Sequence, residues 1–418
     1  MAGSKKRFSL IVTVLLVIAV ALSACGGKNN ESGNGNKPGT DTGNVKKVTV
    51  NMGFWGTAQD LKIYQDAAKA ISGEYPEIDL KIKQYPSSEQ FWNTLPGEIA
   101  AGVAPDLIAV SNEGAYEYID KGLFAPLDDL IGKAGVDLGR FTPSALNIWK
   151  VNDKQYGIPA SSMPAMFLIN EKLWKDANLG DYPKTWDDVK AAATKLNSDK
   201  SHGIIINIDA YHITNYVKSF GGGWGNGKTI NSPENVQALE FIIDMFKDGL
   251  AVTPKSLGFG WDGEVFSNEK GAMTTGGYWY KPYLKDANPD LKFAAVPVPK
   301  GTVEGSTMIS NAYVVLKDSK NQEAALKAAN YLTNDTVQTQ FLDIGYNTAV
   351  ASLSKQYFEK NPEFKDIEPA LAYSTDFGYP ADTKRFIDEL VKQVENRVLG
   401  GSNKTAKEIL DSIQEQFK

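Results

Sequence analysis

From residue 48 onward the chain alternates short β-branched runs with longer segments of helical spacing, and that order narrows its fold more than any other feature. Residues 48–54 form a β-branched run that ends before Trp55 and Gly56. Residues 58–72 place Leu61, Tyr64, Ala68 and Ile71 on one helical face. Glu74, Tyr75 and Pro76 break that helix, and residues 78–82 alternate as a strand. Residues 89–101 are helical again, and 106–110, after Pro105, read as a buried strand. This βαβαβ order predicts an α/β unit with a mostly parallel sheet. The second half continues in the same style. Thr185 and Asp188 form a capping box that opens a helix through Leu196. Ser232 is an N-cap with Pro233 at the first helical position, and that helix runs through Phe246 and ends at Gly249. Residues 321–332 and 336–342 read as a helix pair. Thr405 and Glu408 cap a last helix with Ala406, Ile409, Leu410, Ile413 and Phe417 on one face. No repeat and no linker composition separates the halves. Two α/β domains are expected, with a chain that crosses between them more than once.

Ahead of this body, Lys5, Lys6 and Arg7 precede an apolar stretch, residues 8–21. The stretch is short for a span, which needs about 20 apolar residues. Leu22, Ser23, Ala24 and Cys25 follow, and Cys25 is the only cysteine. This run resembles the bacterial lipobox, in which the cysteine is lipidated and becomes the new N-terminus. The resemblance implies a signal peptide over 1–24 and a lipidated (palmitate-bearing) Cys25. Residues 26–44 are almost wholly Gly, Asn, Ser, Thr, Lys and Asp, so 25–45 is expected to be a flexible tether. Cleavage would leave 418 − 24 = 394 residues and remove three basic groups, taking the net charge from −6 to −9. A lipid anchor of this kind would hold the body on the extracytoplasmic face of a bacterial cell membrane.

Composition excludes several classes. The chain has 44 Lys+Arg against 50 Asp+Glu, whereas a nucleic-acid partner needs clustered cations. One cysteine excludes an intrachain disulfide and a Cys-based zinc site. Only His202 and His212 are available for imidazole chemistry, so no metal and no cofactor is expected. No G-x-S-x-G, P-loop, H-E-x-x-H or C-x-x-C motif occurs. The stretch 258–263 matches G-x-G-x-x-G, but it follows Thr253, Pro254, Lys255 and Ser256 rather than a strand, which removes the dinucleotide reading. Residues 197–203 look faintly like a calcium loop, with the glycine late and no closing glutamate. A glycosidase needs only two carboxylates roughly 5 to 10 Å apart. A surface-anchored glycoside hydrolase therefore stands as an alternative, beside a carbohydrate receptor without transport.

From Trp55 to the C-terminus the motifs resemble the extracellular solute-binding proteins of family 1, the sugar-binding lipoproteins of ABC importers, which include the maltose-binding type. Residues 102–106 with the run 107–110, and 122–128, resemble first-lobe motifs. Residues 156–159, 167–170, Leu173 with Trp174, and 183–187 resemble the entry to the second lobe. Residues 220–223, 266–273, 276–279, 320–333 and 346–350 complete the series. One departure is Ile169, where the family usually has tyrosine. The resemblance implies a two-lobe, periplasmic-binding-protein-like (type II) fold. Each lobe would be a mixed, mostly parallel sheet flanked by helices, with a ligand cleft between them. Lobe 1 would comprise 46–155 and 310–350, and lobe 2 would comprise 156–309 and 351–418. The crossings would lie near 153–158, 306–312 and 347–352. It also implies a monomer that is not an enzyme, with a carbohydrate, expected to be an oligosaccharide, as ligand and membrane permease subunits as partners.

Aromatic rings stack on the apolar faces of pyranoses, and polar groups bind their hydroxyls. Trp55 follows the first strand and Ser111, Asn112 and Glu113 follow the third, where open α/β sheets place ligands. Ser161 and Ser162 follow the first crossing, and Asn311 lies at the second. Tyr211 follows the strand expected over 204–208. Trp224 follows three glycines, Trp261 sits in a Gly-rich loop, and Tyr278 and Trp279 follow Gly276 and Gly277. Trp279 matches the family's main stacking position. These twelve residues are the expected ligand contacts. Helical aromatics such as Trp186, Phe241 and Phe246 are expected in the core.

Overall fold

The computed structural model describes residues 46–417. The expected leader, Cys25 and the tether lie outside them. Two five-stranded sheets organise the rest. The first contains β1 (Val48–Trp55), β2 (Ile78–Tyr85), β3 (Leu107–Ser111), β6 (Gly157–Pro164) and β12 (Met308–Val315), in the order β2-β1-β3-β12-β6. A hairpin of β4 (Lys150–Val151) and β5 (Lys154–Gln155) precedes β6. The second contains β7 (Met166–Asn170), β8 (Ile204–Ile205), β9 (Ala251–Val252), β10 (Met273–Gly276) and β11 (Phe293–Pro297), in the order β11-β7-β10-β8-β9.

Both sheets are mixed. β1 runs parallel to β2 and β3, whereas β12 is antiparallel to β3 and β6. In the second sheet β8 is parallel to β10 and β9, and β7 is antiparallel to β10 and β11. Every residue of β7 is buried, as expected of a strand covered on both faces. Ile169 lies within it, fully buried, so the departure from the family tyrosine is a core position here.

The helix starts follow the capping chemistry of the sequence. Reciprocal boxes form at Thr57/Asp60, Thr185/Asp188 and Thr405/Glu408. Ser232 caps the helix Pro233–Lys247, and Gly249 beyond it takes the left-handed conformation, φ 69°.

The chain leaves the first sheet at Pro164 and enters the second at Met166, so the boundary expected at residue 156 is corrected to about 165. Pairing of β6 with β12 is the cause: it keeps 157–164 in the first lobe. The chain returns between Pro297 and Met308, close to the expected place. Beyond Val350, which bridges to Phe141 of the first lobe, Phe364 packs its ring 6.2 Å from Phe293 of the second. The helices Thr383–Val398 and Ala406–Gln414 then close the second lobe with Phe386, Leu390, Ile409 and Leu410 in its core. One hydrophobic core is continuous across the seam: Ile158 and Tyr313 share it with Leu168, Tyr278 and Tyr280. Among the described residues no helix is long and apolar enough to cross a membrane.

Candidate functional site

The seam is built where strands end. Strand register sets Ser111 of β3, Asn311 of β12 and Ser161 of β6 side by side. The second lobe inserts Tyr278 into this row. Its hydroxyl lies 3.2 Å from Ser161 Oγ and accepts from Asn311 Nδ2, which also reaches Ser161 Oγ at 3.2 Å. Burial, above all, pushes the Tyr278 phenol above its usual range, so it stays neutral and can donate. Ser161 is pinned again through its carbonyl, which accepts from Ser310 Oγ at 3.0 Å, and Trp149 Nε1 donates to that Ser310 hydroxyl at 2.9 Å.

Around the row stand aromatic rings from both lobes. Trp55, at the end of β1, packs 4.8 Å from Phe91 and 5.8 Å from Trp92. Trp279 packs edge-on to Tyr211 and Tyr278, each 5.5 Å away, and borders the cores of both lobes. Trp261 packs on Tyr280 and Tyr283 at 5.5 and 4.6 Å. All of Trp55, Trp92, Trp261 and Trp279 are half-buried.

Beside Tyr211, which backs Trp279, lies an ionic cluster in which His212 and Asp262 are buried and Asp209 is partly exposed. Asp209 caps the helix Ala210–Ser219 by accepting from His212 N at 2.8 Å, and its two oxygens lie 2.7 and 2.8 Å from His212 Nδ1. His212 Nε2 faces the Thr275 carbonyl at 3.2 Å and Asp262 Oδ2 at 3.4 Å. Tyr280 donates to that same Asp262 oxygen. Burial, the largest single influence, works against charge on His212. The Asp209 and Asp262 carboxylates and the hydrogen bonds to both outweigh it and hold the imidazolium well above its ordinary range. Burial acts first to raise Asp262 as well, and His212 reverses it, so this carboxyl lies below its usual range.

Glu113 faces this cluster from the first lobe without a hydrogen-bond partner among the described residues. Burial first, and the Asp209 charge second, push its carboxyl up to about 8, with His212 opposing. A carboxyl protonated near neutral pH can both donate and accept.

Of the twelve expected contacts, the structure leaves seven with partial access: Trp55, Ser111, Glu113, Ser162, Trp261, Trp279 and Asn311. Five are buried. Tyr211 donates to the Gly276 carbonyl at 2.6 Å and backs Trp279. Ser161 and Tyr278 form the seam contact already described. Two are corrected to structural roles. Asn112 is fully buried, donating to the Met308 carbonyl at 3.1 Å and accepting from Ser310 N at 3.0 Å, so it clamps β12. Trp224 is 1% exposed, packs 5.0 Å from Phe386 and donates to Thr214 Oγ1 at 2.9 Å; it belongs to the second-lobe core. Trp92, half-buried and 5.8 Å from Trp55, was not among the expected contacts. Its signal was position: Ser87 caps the helix that follows β2, so Trp92 falls in the first turns, at the strand-end edge of the sheet. Two open hollows of about 390 and 360 Å³ lie on the second lobe, beside Phe241 and beside Lys292, and neither includes a residue of this seam. Among the described residues no group of His, Cys, Asp and Glu is placed to hold a metal ion.

Two lobes joined by crossing segments, with aromatic and polar side chains meeting between them, define a binding protein of the solute-receptor type. The bacterial extracellular solute-binding protein family matches residues 55–339, and the chain belongs to that family. It is 24% identical over 310 residues to the maltotriose-binding protein of Pyrococcus abyssi, covering 70% of this chain and 65% of that one. It is 25% identical to the arabinooligosaccharide-binding protein of Bacillus subtilis, covering 77% and 75%. An ABC substrate-binding protein of Listeria monocytogenes, solved in complex with cycloalternan, shares the fold with a TM-score of 0.81 at 23% identity, over 89% of this chain and 98% of that one.

Proposed function

We propose that this chain is the substrate-binding lipoprotein of an ABC importer, that it holds an oligosaccharide between its lobes, and that it passes the sugar to a membrane permease. One observation supports the reading: both lobes carry half-buried tryptophans, Trp55 and Trp92 in one and Trp261 and Trp279 in the other, and Trp279 packs 5.5 Å from Tyr278, whose hydroxyl joins the polar row at Ser161 and Asn311. Indole faces suit the C–H faces of sugar rings, and the hydroxyls and amide of the row, with Glu113, suit sugar hydroxyls. The names of the relatives support a saccharide ligand, and Cys25 in its lipobox-like run supports the anchor.

A ligand held by both lobes stabilises the closed arrangement by its differential affinity for it. The hydrolase reading has one point in its favour, a raised Glu113 opposite Asp209. Against it, both Asp209 oxygens are engaged by His212, one of them also capping a helix, so the carboxylate opposite Glu113 is held in a structural pair.

The test is a thermal-shift panel of malto-, arabino- and chito-oligosaccharides. A true ligand at 100 times its Kd stabilises by about 2.7 kcal/mol. Bound sugar recovered intact after long incubation supports reception over hydrolysis, and progressive cleavage by pure protein contradicts it. Replacing Cys25→Ser should release the protein from the membrane fraction; retention at unchanged mobility contradicts the anchor.

A further inference from the structure

Three of the four half-buried tryptophans at the seam share a seat. The Trp279 ring lies over Gly277, the Trp261 ring over Gly263 and the Trp92 ring over Gly114. A Cβ on any of these glycines would fall inside 3.0 Å of the indole, a separation that real Cβ atoms essentially never show. The backbone does not require glycine at these places: none of the three is among the residues with positive φ. Gly114 and Gly263 even lie inside the helices Asn112–Asp120 and Asp262–Ser267, where glycine is a poor residue. The ring, not the backbone, is what excludes a side chain. Gly157 does the same for Trp149 in the core. The difference is that Trp149 is fully buried, whereas the three seam tryptophans are only half-buried.

We propose that Gly277, Gly263 and Gly114 are positioning residues of the ligand site, fixing the planes of Trp279, Trp261 and Trp92 so that one face rests on backbone and the other meets the ligand. The inference rests on the oligosaccharide reading. A ring already held in its binding orientation loses less freedom when a sugar stacks on it, so the seat raises affinity by pre-organisation. Adding one methyl group at the seat displaces the ring without removing it.

The experiment is a double-mutant cycle of Gly277→Ala and Trp279→Ala. The probe is the saccharide from a malto-, arabino- and chito-oligosaccharide panel that raises the wild-type melting temperature most, with affinities measured by calorimetry. Gly277→Ala should weaken binding at least about tenfold, yet weaken it less than about threefold further once Trp279 is alanine, because the seat acts only through its ring. In parallel, ¹⁹F spectra of protein labelled with 5-fluorotryptophan need no ligand. Gly277→Ala should move the Trp279 line, identified with Trp279→Phe, and leave the other lines in place. Gly263→Ala with the Trp261 line is the second variant should the first fail to fold. Equal loss in both backgrounds, unchanged affinity of Gly277→Ala, or an unmoved Trp279 line overturns the seat alone. Trp279→Ala binding like wild type, or a panel in which no saccharide shifts the melting temperature, overturns the seat together with the oligosaccharide reading.

Discussion

The two lobes present tryptophans to one seam but hold them by different means. In the first lobe β1 and β2 pair over eight residues in unbroken register. Trp55 sits at the end of that regular strand against Phe91, so sheet geometry and apolar packing fix the ring. In the second lobe β8 and β9 are two residues long. There the wall rests on the Asp209–His212–Asp262 cluster and the Tyr211 bond to the Gly276 carbonyl. One wall is an extension of a sheet, and the other is a hydrogen-bonded assembly that a single polar substitution can undo.

The largest test of that contrast is His212→Ala, which leaves the buried Asp262 carboxylate without its cation. Breaking a buried pair of this kind costs about 3 to 5 kcal/mol, read as a fall in the urea midpoint. The pH sign follows from the raised folded value. Wild-type stability from His212 is complete below the ordinary value of 6.5 and is lost as pH rises through the higher folded one. The variant's stability should therefore vary less with pH over that window.

A smaller effect is expected where the lobes touch away from the rings. Glu117 of the first lobe accepts from Lys384 N at 2.6 Å, at the start of the helix Thr383–Val398, and also pairs with Lys121. A hydrogen bond to a charged group contributes about 1.5 to 3 kcal/mol. Glu117→Ala should weaken ligand binding by about tenfold through the closed arrangement, with faster dissociation in stopped-flow traces.

Glu113 links the two walls by charge. Its folded carboxyl is raised from 4.5 to about 8, so the closed arrangement gains from low pH and loses that gain as pH rises through about 8. Affinity should fall between pH 5 and 9, about, and Glu113→Gln should flatten the profile.

The smallest effect is a control in the first lobe. Gly97 lies in the helix Ser88–Ala100 with open space where a Cβ would go. Gly97→Ala should stabilise by about 0.5 to 1 kcal/mol and leave affinity unchanged.

The same contrast explains what the sequence could and could not disclose. Local chemistry was legible: the caps at Thr185, Ser232 and Thr405 and the strands β1 to β3 are signalled by neighbours within a few residues. Long-range pairing was not. Residues 157–164 and 166–170 are neighbours in sequence, and nothing local says that the first segment joins β12 while the second pairs in another sheet. The strand expected over 204–208 is only two residues long, and Asp209 caps the helix that follows it. Trp224 and Trp279 both follow glycines and look alike locally. Phe386 and Thr214, distant in sequence or behind the ring, bury the first, and the seam leaves the second half-open.

The central claim is that one ligand bridges both walls, and calorimetry of Trp55→Ala and Trp279→Ala beside their apo melting temperatures tests it most directly. Losing a stacking face and its apolar contact should lower saccharide affinity about ten- to a thousandfold, or about 1.4 to 4 kcal/mol. Both variants should show that loss with apo melting temperatures nearly unchanged. Wild-type affinity in either variant, or an apo loss of the roughly 3 to 5 kcal/mol that a core tryptophan costs, would contradict a sugar held between the two lobes.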